Sequence, residues 1–139
     1  MTIPNAIRSF APVAFVVVAG FGLVSCQPVQ RAHGKSGIMA TYNGFQLVSL
    51  LPAEVSVQAA AAAADEAFRD QGYSVAKLTT TDQEGEVVAH PARSGDFPKV
   101  RVRIEAKDGA TRVIITKEPF NEEAVCRGTL SRMLAKLGL

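Results

Sequence analysis

Cys26, Cys126, His33 and His90 are the side chains of this chain best suited to nucleophilic or metal chemistry. A zinc site needs such ligands clustered at short motif spacing, and these stand far apart. A Cys–His nucleophile pair needs a thiol activated by a neighbouring base. Cys126 sits instead among Val125, Leu130, Met133, Leu134 and Leu137 at helical spacing, where a buried, inert thiol is expected. His90 precedes Pro91 with no acid beside it, and His33 lies in a polar stretch where a solvated ring is expected. The carboxylate pairs Asp65-Glu66 and Glu122-Glu123 are adjacent in sequence, and adjacent helical positions do not face one another. Neither a Gly-x-Gly-x-x-Gly loop nor a Walker pattern occurs. No catalytic residue, cofactor or metal ligand is therefore assigned, and a non-enzyme is expected. The remaining feature with chemical potential is basic. Lys99, Arg101 and Arg103 alternate with Val100, Val102 and Ile104, so three cations project from one face of a strand. They form a candidate contact for lipid phosphates or an acidic partner. Pairing with local carboxylates such as Glu105 is the alternative.

Cys26 stands at a sharp boundary. Phe10 to Val24 is apolar, with Arg8 before it, and the chain turns polar from Gln27. That apolar stretch is shorter than the ~20 residues a membrane-crossing helix needs and has no charged stop-transfer flank. Residues 1–25 therefore read as a signal peptide. Leu23-Val24-Ser25-Cys26 resembles the lipobox of bacterial lipoproteins. The resemblance implies a diacylglycerol thioether on Cys26, cleavage before it, and anchoring by acyl chains that each contribute ~0.8 kcal/mol per buried methylene. Gln27 in place of Asp implies export to the outer membrane, with the domain facing the periplasm. A lipidated Cys26 leaves Cys126 without a disulfide partner.

Charge and composition exclude other classes. Lys and Arg number 15 against 13 Asp and Glu, and Trp is absent. Neither a basic excess nor an aromatic platform points to nucleic acid.

The elements that must position these residues follow from pattern. Residues 26–39, polar and carrying two glycines, read as a flexible tether. Residues 40–52 read as one strand, bulged at Gly44. Ser56 caps a helix from Val57 to about Gln71, stopped by Gly72, whose stripe is Val57, Ala60, Ala61, Ala64, Ala67 and Phe68. Strands follow in "YSVAKLTTT", "GEVVAHP", "KVRVRIEA" and "TRVIITK", with Asp108-Gly109 as a hairpin turn. Asn121 is expected to cap a last helix, stapled by Phe120 against Val125. The expectation is an α+β two-layer sandwich over residues 40–139. It has an antiparallel sheet of four to five strands with two helices on one face, in the order β-α-β-β-β-β-α.

The helix "VQAAAAAADEAFRDQGYSV", the strands "GEVVAHP" and "KVRVRIEA", the hairpin "DGATRVIIT" and the final amphipathic helix together resemble small bacterial envelope lipoproteins of unknown function. The resemblance implies an α+β domain on a lipid anchor and carries no catalytic residue with it. Two functions are open at this level. One is a lipid-anchored, non-catalytic interaction or structural module that contacts an envelope protein. The other is a periplasmic enzyme or small-ligand binder, which needs a pocket with convergent polar groups.

Overall fold

The computed structural model describes residues 27–139; the signal peptide read at 1–25 and the lipidation site Cys26 lie outside the described residues. In chain order the elements are β1 (Val29–His33), β2 (Ile38–Tyr42), β3 (Leu47–Leu51), α1 (Val57–Asp70), β4 (Tyr73–Thr80), β5 (Glu84–Pro91), β6 (Lys99–Lys107), β7 (Ala110–Glu118) and α2 (Glu123–Leu137). One antiparallel sheet of seven strands runs β1-β2-β3-β7-β6-β5-β4. Both helices pack on it, α1 over β4, β5 and β6 and α2 over β7, β3 and β1.

Alternation, cleanest on β6, explains why one face is covered. Val100, Val102 and Ile104 of β6 are buried together with Val113 and Ile115 of β7, Val87 and Ala89 of β5 and Leu47 and Leu51 of β3. These residues share the helix side of the pleat, as period two requires. Asp108 and Gly109 adopt φ 52° and 73°, the positive pair of a two-residue hairpin whose twist matches its strands. Ser56 caps α1 by accepting a hydrogen bond from the Ala59 amide at 3.0 Å. The alanines of α1 have a packing purpose. Ala60, Ala61, Ala63, Ala64 and Ala67 are all buried, so the helix backbone lies close against its neighbours, and Phe68 supplies most of the bulk. The phenyl ring of Phe68 stacks on Tyr73, with centroids 5.8 Å apart.

The sheet is larger than the four to five strands expected, and its order is β-β-β-α-β-β-β-β-α. The difference lies at the N-terminal side. Residues 40–52 are not one bulged strand but the end of β2, a turn at 43–46 and β3. The Asn43 side-chain oxygen accepts from the amides of Phe45 and Gln46, and Gly44 takes φ 89°, so the chain reverses there. Residues 29–33, expected in a flexible tether, form β1, and β2 begins at Ile38. β1 is an edge strand exposed along nearly its whole length. It has no apolar face to generate an alternating pattern, so its sequence reads as loop. Gly34 is held too: at φ +71°, a Cβ there would meet the Leu139 carbonyl oxygen at 2.7 Å.

The start of α2 also differs from expectation. Its N-cap is Glu122, without a side-chain cap bond. Asn121 accepts instead from the Lys117 amide at 2.9 Å and from the Cys126 thiol at 3.2 Å. Phe120 is 81% exposed, so it does not staple the helix.

Candidate functional site

Lys99, Arg101 and Arg103 share the open face of β6, opposite Val100, Val102 and Ile104. The neighbouring strands, however, place carboxylates among them. Arg101 pairs with Glu86 of β5 and, at 3.2 Å, with Glu118 of β7; Lys99 lies 3.4 Å from Glu118. Lys77 of β4 joins Glu86 at 2.7 Å. That hydrogen bond, with Arg101 adding to it and burial opposing, holds the Glu86 carboxyl below its usual range. Of the three cations only the exposed Arg103 has no ion-pair partner among the described residues. The row is therefore mostly a cross-strand charge network, which neutralises the strip it would otherwise form.

Cys126 and His90 are on opposite sides of the sheet. His90 follows Val88 on the open face, and its Nδ1 lies 3.2 Å from the Pro91 carbonyl oxygen. Cys126 is fully buried in the core. Burial pushes its thiol up to about 11, the reverse of what a nucleophile needs. The structure therefore separates the Cys–His pair that the sequence left formally available. Among the described residues, no group of three or more His, Cys, Asp or Glu could hold a metal ion.

Two assemblies were not legible in the sequence. The first is built on Arg127, buried at the inner edge of α2. Its guanidinium donates to the Val29 carbonyl at 2.8 Å and to the Glu123 carboxylate at 2.7 Å. It also lies 3.0 Å from His33 Nε2. Because guanidinium only donates, Nε2 must accept, which leaves the ring proton on Nδ1, 3.2 Å from Ser131 Oγ. His33 is thus a neutral link between β1 and α2, not a solvated linker residue. Burial first, then the charges of Arg127 and Arg31, lowers its pKa from 6.5.

A pH effect follows with a definite sign. The unfolded ring takes up a proton near 6.5 while the folded ring resists it, so stability is greatest above 6.5 and falls as pH drops from there toward the folded value. Thermal melts should therefore show a larger loss between about pH 7 and pH 5 for the natural protein than for His33→Gln, which keeps an acceptor for Arg127 without a titrating ring. Equal losses in the two proteins would refute the link.

The second assembly is aromatic. Phe45, Phe97 and Phe120 are 83%, 53% and 81% exposed, and all three stand in connections at one end of the sheet. Phe45 is in the β2–β3 turn, Phe97 in the β5–β6 loop, and Phe120 follows β7. Lys99 pairs with Glu118 across β6 and β7, so Phe97 and Phe120 flank that register from either side. Lys99 Nζ sits 4.7 Å over the Phe97 ring. Phe45 and Phe120 line an open cleft of about 650 Å³ with Arg101, Arg103 and Lys117. Each loop is braced by its own polar residue: Asn43 below Phe45, Ser94 bonding the Pro91 carbonyl at 2.6 Å, and Asn121 behind Phe120. The signal in the sequence is phenylalanine beside turn formers, in Asn-Gly-Phe, Phe-Pro and Pro-Phe-Asn, positions that strand burial does not explain.

Among the described residues no helix is long and apolar enough to cross a membrane. No protein-family model matches the chain, and no curated protein matches it, so what supports a function is the sequence before β1 and the surface just described.

Proposed function

We propose that the protein is a lipid-anchored cell-envelope lipoprotein whose α+β domain works as a non-catalytic interaction or structural module in the periplasm. The observation that carries this reading is Leu23-Val24-Ser25-Cys26, a lipobox-like sequence directly after an apolar signal stretch. Support comes from the core. Its helix-facing layer is filled by apolar side chains, and the thiol and imidazole that could have made a nucleophile pair are on opposite sides of the sheet. The acyl chains on Cys26 hold the domain at the membrane, with Gln27 favouring the outer membrane, and the exposed surface meets its envelope partners there.

Cys26→Ser tests the anchor. In cells fed a fatty-acid analogue, the natural chain should be labelled and cut before Cys26, and the variant should lose both label and cleavage. Labelling and processing of Cys26→Ser equal to the natural protein would overturn the reading.

A further inference from the structure

We infer that the end of the sheet bearing Phe45, Phe97 and Phe120 docks against the phospholipid surface that holds the acyl chains of Cys26. This rests on the lipid-anchor reading and adds an orientation to it. The chain enters the fold at this same end. Val29, the first residue of β1, pairs with Tyr42, the last of β2, and Phe45 lies in the turn that follows. Only Gln27 and Pro28 separate Cys26 from β1, so the lipidated residue lies within about 11 Å of Val29 even with the chain fully extended. With residues 29–33 in the sheet, no long tether lets the domain turn away. The entry corner of the sheet, at β1, is thereby kept close to the bilayer, and the residues exposed at that end are the ones brought within reach of it.

That end carries the right chemistry for the place it is put. Large apolar side chains exposed together on a folded domain mark a contact surface, and aromatic rings partition to the boundary between headgroup and acyl chain. Arg93, with its backbone at φ 67° in the same loop as Phe97, and Arg103 are both exposed and have no ion-pair partner among the described residues. Both are available to lipid phosphates, whereas Lys99 and Arg101 are held by Glu118 and Glu86. A lipid anchor with a second contact is also the arrangement that gives firm membrane attachment. The opposite end of the sheet, with the β4–β5 and β6–β7 turns, faces the aqueous compartment and its partners.

The absence of tryptophan from the chain makes the test direct. Phe45→Trp, Phe97→Trp and Phe120→Trp each introduce one reporter at an exposed site, and Gln83→Trp places a control in the β4–β5 turn at the far end. The full chain is made in a bacterium fed a clickable fatty acid, purified, and reconstituted into phosphatidylethanolamine–phosphatidylglycerol vesicles. Label on Cys26 is measured separately from fluorescence. The inference expects labelled protein in which the three Phe-site reporters emit at shorter wavelength and are quenched by lipids brominated near the headgroup, while the Gln83 reporter is neither shifted nor quenched. Labelled protein in which all three Phe-site reporters behave like Gln83→Trp overturns the docking and leaves the anchor standing. Unlabelled protein overturns the anchor, and the docking with it. Three independent variants keep the result readable if one of them folds poorly.

Discussion

Phe68→Ala is expected to cost about 3–5 kcal/mol of folding stability, read as a lower urea midpoint. The ring is fully buried and stacked on Tyr73. What lies beside it on α1 is alanine: Ala60, Ala61, Ala64 and Ala67 are all buried and have no rotamer with which to fill the space. A cavity flanked by side chains that cannot move inward collapses poorly, which places the cost toward the upper part of the range. Domains of this size hold only about 5–15 kcal/mol in total, so the variant should be partly unfolded at moderate temperature. A loss below about 1 kcal/mol would mean that α1 does not rely on this ring.

Arg127→Ala is expected to cost about 3 kcal/mol, because it empties a buried position on α2 and removes the bonds to Val29, Glu123 and His33 together. The loss should be local before it is global. β1 is an edge strand paired only to β2, and Arg127 is its main tie to α2. Hydrogen exchange should therefore accelerate first at Gln30 to Ala32, with the β6–β7 amides still protected. Arg127→Met keeps much of the packed stem without a charge and should lose less, since the carbonyls at the edge can take water. Unchanged exchange in β1 for Arg127→Ala would show that pairing with β2 alone holds the strand. If the domain docks as inferred, a loosened β1 also loosens the link between anchor and sheet.

The parts of the fold that were legible share one property, a short-range physical cause. Alternation in Val100, Val102 and Ile104 specifies a half-buried strand because the pleat repeats every two residues. Asp108-Gly109 specifies a hairpin because both residues tolerate positive φ, and Ser56 specifies a helix start because its oxygen reaches the Ala59 amide. The helix-side burial of Cys126 follows from its spacing to Leu130 and Met133 in the same way. The lipobox-like run at Leu23 to Cys26 is likewise a local pattern.

Only the tertiary structure decided the remainder, because there the partners are distant in sequence. β1 carries no apolar face of its own and is held by strand pairing and by an arginine roughly a hundred positions away. The basic row of β6 was readable as three cations, but Glu86 and Glu118 come from flanking strands, and their registers set which charges are paired. Phe45, Phe97 and Phe120 look scattered along the chain, each beside its own turn. An antiparallel sheet returns every second connection to the same end, and that geometry puts the three rings at the end of the sheet where the chain enters, spread across its width from β2 to β5.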